Sequence, residues 1–146
     1  IEAFALADLD FAFRLAAKHG LIDENDADLR AAMPVLTRLA ASLEFAQCAE
    51  GFPRKNAVMT AAEAWAHFAT DPDGREIANR LHSKLLPHQI WLWKAGTLDD
   101  VLGGVGKGEE AIQRLELTLP TKTASDIRTE HPELAAMLDW FSTPIS

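Results

Sequence analysis

Cationic and aromatic side chains are interleaved in one stretch of the chain, residues 75–94. Cations that border aromatic rings can receive a phosphate, a carboxylate or an acidic protein segment. Arg80 and Lys84 are one helical turn apart, so a helix would place them on the same side. The segment therefore predicts an anion or ligand site, and the ordinary alternative is a solvated helix face whose tryptophans belong to the core. The candidate residues are Arg75, Arg80, Lys84, His88, Trp91 and Lys94.

No group of residues in the sequence has the spacing typical of metal ligands. His82 and His88 could converge, and the nearest candidates for a third ligand are Asp71 and Asp73. The run 71–74 resembles the centre of a calcium loop, but oxygen ligands are missing at both ends of the required spacing. The sequence therefore predicts no metal site and no cofactor.

A loose spacing of arginine and histidine resembles the pattern of helical RNA-cleaving domains of the HEPN type. In that family a guanidinium steadies the phosphate while an imidazole on the same helix moves protons. Neither Leu15 nor Glu76, which follow the two arginines concerned, fits the polar residue usual at that position. The resemblance implies RNA cleavage only as an alternative. The two pairs with this spacing are Arg14/His19 and Arg75/His82.

Composition and charge narrow the class of protein. The 146 residues are 48% hydrophobic and 25% charged, which is the balance of one globular domain spanning residues 1–146. No apolar run is long enough to cross a membrane. The formal net charge of −8 argues against nucleic acid as the main partner. Residues 51–96 carry more basic than acidic side chains, whereas residues 1–50 and 97–146 carry more acidic ones. The single cysteine, Cys48, favours a location in the reducing cytoplasm.

Residues 2–19 are predicted to form a helix that is apolar on two sides. At helical spacing, Phe4, Phe11 and Leu15 fall on one side, and Leu6, Leu9 and Phe13 fall nearly opposite. A helix with two apolar stripes must be covered twice, so it lies in the middle of the domain or presents one stripe to a partner chain. Phe45 points away from the apolar stripe of its own helix, which is a second hint of an interface. The candidate interface residues are Phe4, Phe11, Leu15 and Phe45.

The rest of the chain is predicted to be helical. The spacing of apolar residues, prolines and glycines indicates a compact, irregular, single-domain all-α array of about seven or eight short helices. Pro34 is expected to start or kink a helix that ends near Glu50, and a buried helix is favoured over a short strand between Pro87 and Gly96. The remaining helices are expected to begin at Thr60, Arg75, Thr97, Glu109 and Pro132, with residues 103–108 as an interhelical turn. Thr60 and Glu63 have the spacing of a capping box. The helix from Arg75 is expected to bury Ile77, Leu81 and Leu85 on one face, and the last helix is expected to bury Leu134, Met137, Leu138 and Phe141.

The leading functional prediction is a cytoplasmic protein-interaction or regulatory module that binds a protein partner or self-associates through the first helix. It depends on the surplus apolar face and on the lack of a catalytic motif. The alternative is a small-molecule or anion-binding, or catalytic, helical domain centred on residues 75–94. No membrane association is expected.

Overall fold

The computed structural model describes residues 3–101, 110, 113, 116–117 and 119–143. The chain forms two compact units, Ile1–Thr97 (unit 1) and Leu98–Ser146 (unit 2). Two compact units need not be two domains, so a single-domain organisation stays a prediction. The elements of unit 1 are β1 (Ala5–Ala7), α1 (Leu9–Arg14), α2 (Ala27–Leu43), β2 (Ala46–Gln47), β3 (Pro53–Arg54), α3 (Ala61–Thr70), α4 (Pro72–Leu85), a 3-10 turn (Leu86–His88) and β4 (Ile90–Leu92).

The all-α prediction is wrong, because unit 1 contains two small β-sheets beside its helices. β1 pairs in parallel with β4, with Leu6 opposite Trp91. β2 pairs antiparallel with β3 to form a short hairpin. Among the described residues there are six helices of six residues or more, instead of the seven or eight predicted. The expected helix between Pro87 and Gly96 is instead the 3-10 turn and β4, whose apolar residues are all buried.

The predicted helix over residues 2–19 is also wrong. Its first part is β1, and only Leu9–Arg14 is helical. Asp8 separates the two elements with an extended backbone, φ −69° and ψ 159°. The amide of Leu9 then donates a hydrogen bond of 2.7 Å to the carbonyl of Gly96, beyond the end of β4. Alanine and leucine favour a helix locally, but pairing with β4 outweighs that modest propensity.

Helix α2 runs without a break through Pro34, so the predicted boundary there is wrong. Proline removes one backbone hydrogen bond from the helix. The helix nevertheless continues, because it buries a stripe of side chains against the core and such packing provides most of the stability of helices in proteins. The stripe consists of Ala32, Val35, Leu36 and Leu39. α2 ends at Leu43, well before Glu50, and leaves residues 46–54 free to form the hairpin.

The core of unit 1 is an aromatic cluster enclosed by the helices. Phe13 of α1 stacks on Trp65 of α3 with ring centroids 4.7 Å apart, and Phe68 meets Phe13 edge-on at 5.8 Å. The predicted capping box at Thr60 is confirmed, so α3 begins where the sequence indicates. The predicted buried face of α4 is confirmed as well; it consists of Ile77, Leu81 and Leu85. Together these contacts hold α1 in a fixed position beside β1.

Unit 2 contains short helices. α5 (Leu98–Val101), a 3-10 turn (Leu119–Thr121), α6 (Ala124–Glu130) and α7 (Pro132–Ser142) are described. The predicted start of a helix at Pro132 is confirmed. The expectation that α7 buries Leu138 and Phe141 is wrong, since these side chains are 45% and 54% exposed. The glycine-rich turn at 103–108 and most of the helix expected over 109–118 lie outside the described residues. None of the described helices has the length and apolar content needed to cross a membrane.

Candidate functional site

The outer edge of β1 is open. Ala5 donates its N–H to the carbonyl of Gln89 at 2.9 Å, and the carbonyl of Ala7 accepts from the N–H of Trp93 at 2.8 Å. In a parallel ladder alternate residues bond to the same neighbouring strand, so the residue between these two turns its N–H and C=O to the other side. That residue is Leu6, whose side chain is 51% exposed. No described residue pairs with this edge, since the sheet consists of β1 and β4.

The outer edge of β4 is closed by a side chain of α4. The N–H of Leu92 donates a hydrogen bond of 3.3 Å to Nδ1 of His82. The His82 ring is buried and meets the Trp91 ring edge-on, with centroids 4.5 Å apart. Burial, together with the nearby charge of Lys94, lowers the pKa of His82 to about 4. His82 is therefore neutral at pH 7 and its Nδ1 is available as an acceptor.

An open groove of about 800 Å³ lies beside the free edge of β1. Its apolar surface comes from β1, from α1 and the residues after it, and from the hairpin. Leu15, at the end of α1, is 43% exposed, and Phe11 and Phe52 are partly buried against the core. The residues that line the groove are Ala5, Leu6, Ala7, Asp8, Asp10, Phe11, Phe13, Arg14, Leu15, Ala17, Lys18, Glu24, Glu50, Phe52 and Ile90. The free backbone of Leu6 thus borders a concave surface large enough for a chain segment.

Arg14 is tied to the hairpin side of the groove. Its Nη2 donates a hydrogen bond of 3.2 Å to the carbonyl of Pro53, and its guanidinium carbon lies 5.7 Å from the centre of the Phe52 ring. Asp10, one turn earlier on α1, is 3.9 Å from Nε of Arg14. These contacts join α1 to the β2–β3 hairpin and give the wall of the groove a defined shape.

Carboxylates outnumber cations in the groove. Asp8, Asp10, Glu24 and Glu50 line it, against Arg14 and Lys18. Hydrogen bonds from the Cys48 side chain and from the backbone, with Arg14 and Lys18 nearby, lower the pKa of Glu50. Glu50 is therefore ionised at pH 7, and the groove carries an excess of negative charge.

A smaller niche of about 240 Å³ opens from the same region. It shares four residues with the groove, and α2 provides the rest. Its walls are mainly apolar. The one arginine among its residues, Arg30, donates a hydrogen bond of 2.9 Å from Nη2 to Oδ1 of Asn25. The niche is lined by Phe13, Ala17, Glu24, Leu29, Arg30, Met33 and Phe52.

Two cations of the segment 75–94 form ion pairs within the fold. Nε of Arg80 is 2.6 Å from Oδ1 of Asp28, and Nζ of Lys84 is 2.6 Å from carboxylate oxygens of both Asp26 and Asp28. Burial opposes ionisation of these aspartates, but hydrogen bonds from Lys84, joined at Asp28 by one from Arg80, lower the pKa of both. The two cations therefore join α4 to the start of α2.

The other members of that predicted ligand site lie in different surroundings. Trp91 is buried at the centre of β4, Arg75 and His88 are exposed, and Lys94 is partly buried. His82, which sequence reasoning considered only as a metal ligand or as part of an Arg–His pair, closes the edge of β4. Among the described residues there is no cluster of three or more side chains that could hold a metal ion.

The predicted interface residues are separated by the structure. Phe4 precedes β1 while Phe11 and Leu15 lie at or after α1, so they do not share one helix face. Phe11 and Leu15 line the groove. Phe45 is 5% exposed and belongs to the core. Of the opposite stripe, Leu9 and Phe13 are buried.

Sequence reasoning missed the residues that the groove takes from outside the first segment. Leu6 was expected on a covered helix face, and Glu24, Glu50 and Phe52 were not singled out. Only the continuous apolar run Ile90–Trp93 signalled a short strand at β4, and nothing nearby in the sequence identified β1 as its partner. The chain matches no protein-family model, no curated protein and no solved structure.

Proposed function

We propose that unit 1 is a protein-interaction module that receives an extended segment of a partner protein along the free edge of β1. The observation that carries this proposal is the outward-facing backbone of Leu6 beside the groove. An extended segment adds to an open strand through main-chain hydrogen bonds, and adjacent apolar surface provides specificity. Leu6 and Leu15 would lose their exposure to water on binding, which favours the complex.

The partner is a different protein rather than a second copy of this chain. Two copies paired edge to edge at Leu6 would bring together two grooves that each carry an excess of carboxylates. Each chain also carries a net charge of −8. Like charges brought together oppose association, so the charge of the chain disfavours a second copy as the partner. Light scattering on the purified chain should therefore give the mass of a monomer.

The interaction is proposed to take place in the cytoplasm. Cys48, the single cysteine of the chain, is partly buried and forms no disulfide. Proteins of a reducing compartment need no disulfide for stability. Fractionation of the source cells, with detection of the full-length protein, tests this location.

A proline at position 6 tests the docking mode. The fold does not use the N–H of Leu6, so Leu6→Pro should leave the structure intact while it blocks addition of a strand. Peptides selected from a displayed random library on the full chain should bind Leu6→Pro at least about tenfold more weakly than the wild type. Leu6→Thr, which keeps the N–H, is the matched control and should lose less affinity than Leu6→Pro.

Hydrogen exchange locates the bound segment. A selected peptide should slow amide exchange at Leu6, since that N–H gains an acceptor. The proposal is overturned if the library yields no binding peptide, or if the selected peptides bind wild type and Leu6→Pro equally. A dimer that Leu6→Pro dissociates would instead identify a second copy as the occupant and overturn the assignment of a different partner.

A further inference from the structure

The niche has mainly apolar walls and lies beside the groove. It opens from the groove at Phe13, Ala17 and Phe52, so a segment that lies in the groove passes its mouth. Leu29 and Met33 of α2 form its far wall, and both pack against the core of unit 1. A concave apolar surface of this kind suits a buried anchor side chain, which typically provides a large share of the binding energy of an interface.

The charge around the mouth of the niche favours a cation. Glu24 lines both the groove and the niche, and Glu50 lines the groove. Neither glutamate forms an ion pair with a described residue. By contrast, Arg14 is held by Pro53 and Phe52, and Arg30 by Asn25. Arg14 and Arg30 are thus engaged, and Lys18, the other cation of the groove, lies near Glu50. Four carboxylates line the groove against two cations, so a further positive charge would be attracted there.

From these observations we infer that the partner segment is basic and amphipathic, with an apolar anchor for the niche and lysine or arginine residues beside it for Glu24 and Glu50. The inference rests on the proposed function, since it assumes that an extended segment occupies the groove. It adds the chemical class of that segment. Lysine and arginine suit such a site because their apolar stems can cover groove surface while their charged ends reach the carboxylates.

Two sets of synthetic peptides test this class. All have alternating valine and threonine to favour an extended conformation. The first set compares a central phenylalanine with alanine, and the second compares flanking lysines with flanking glutamates. The peptide with phenylalanine and lysines should bind the full chain at least about tenfold more tightly than either altered form, and added salt should weaken its binding.

Variants of the protein assign these preferences to the niche and to the two glutamates. Glu24→Lys combined with Glu50→Lys should reverse the charge preference, so that peptides with glutamates bind more tightly than peptides with lysines. Ala17→Leu, which fills the mouth of the niche, should abolish the advantage of phenylalanine over alanine. Thermal unfolding of each variant shows whether it remains folded. Glu44→Lys, at an exposed position outside the groove, is the matched control for a change of charge.

The outcomes separate this inference from the proposed function. The inference is overturned, and docking at the edge of β1 stands, if three results are found together. The peptides bind the wild type, they bind Leu6→Pro more weakly, and their affinity does not depend on the flanking charges or on the central phenylalanine. If the lysine peptide binds equally to wild type and Leu6→Pro, docking on β1 is overturned. A preference for glutamate-bearing peptides in the wild-type protein would overturn the inference directly.

Discussion

The two outer edges of the β1–β4 sheet are treated differently by the fold. At β4 the N–H of Leu92 bonds to Nδ1 of His82, and α4 covers the strand. At β1 the backbone of Leu6 faces outward beside the groove. An unpaired strand edge is a site at which another chain can add. One edge is thus satisfied within the chain, and the other is available for a partner.

The difference originates in where the buried helices lie. α4 packs against β4 and brings His82 to the strand, and its Leu81 and Leu85 are fully buried. Beside β1 lies the short helix α1, which buries Leu9 and Phe13 but leaves Leu15 exposed. Substitutions at the closed edge should therefore change the stability of the protein. Substitutions at the open edge should change the affinity for a partner.

The largest effect expected at the two edges is the pH dependence of the closed edge. The pKa of His82 is lowered from 6.5 to about 4 on folding. Between these values the unfolded chain binds a proton that the folded chain does not, so the free energy of unfolding should fall as the pH is lowered from 6.5 to 4. The contribution of His82 to this loss amounts to about 3 kcal/mol. Urea unfolding at several pH values measures it.

An asparagine at position 82 is the control for this pH dependence. Its Oδ1 stands near the position of Nδ1 and can accept from Leu92, but it does not titrate. His82→Asn should therefore lose clearly less stability than the wild type between pH 6.5 and 4. The loss that remains should fall near pH 4 and come from carboxylates such as Glu50, whose pKa is lowered on folding. If the wild type and His82→Asn lose equal stability over that interval, His82 is not the group responsible and the closed edge does not depend on its neutral form.

A pair of prolines on β1 compares the inner and outer sides of the strand. Ala5→Pro removes the N–H that bonds to Gln89, whereas Leu6→Pro removes one that the sheet does not use. Ala5→Pro should destabilise the protein by about 1–3 kcal/mol, because it leaves a carbonyl of the ladder without its donor. Leu6→Pro should cost clearly less. Equal losses in urea unfolding would show that Leu6 is not at an open edge.

Local signals in the sequence predicted those parts of the fold that depend on neighbouring residues. The Thr60 capping box and the buried face of α4 at Ile77, Leu81 and Leu85 need only a few consecutive positions, and both are confirmed. The pairing of β1 with β4 could not be found in this way. Ala5–Ala7 has the composition of a helix, and it becomes a strand because a distant segment supplies its hydrogen bonds.

The candidate site was predictable only in part, for the same reason. Phe11 and Leu15 were identified as a surplus apolar face, and both line the groove. Their classification as one side of a long helix was wrong, because the helix starts at Leu9. Glu24, Glu50 and Phe52 reach the groove through the tertiary fold, and no spacing in the sequence indicates that they meet.

A smaller effect concerns the attachment of α4, which carries His82. Lys84→Met removes the ion pairs to Asp26 and Asp28 and should cost about 1 kcal/mol, since the pair is partly exposed. The pKa of both aspartates is lowered, so this contribution is present above their usual pKa of 3.8 and is lost as the pH falls below it. The variant should therefore keep the wild-type change between pH 6.5 and 4. If Lys84→Met lost the pH dependence of stability between 6.5 and 4, the ion pairs of Lys84 and the titration of His82 would be linked.

The smallest effect on stability is expected at the open edge itself. Leu15→Ser replaces a side chain that is 43% exposed, and its unfolding free energy should change by less than about 0.5 kcal/mol. Leu9→Ala, at a fully buried position at the start of α1, should cost about 2–5 kcal/mol. In peptide binding the order should be reversed: Leu15→Ser removes apolar surface from the groove and weakens binding, whereas folded Leu9→Ala retains it. If Leu15→Ser binds the selected peptides as tightly as the wild type does, the apolar rim of the groove takes no part in recognition.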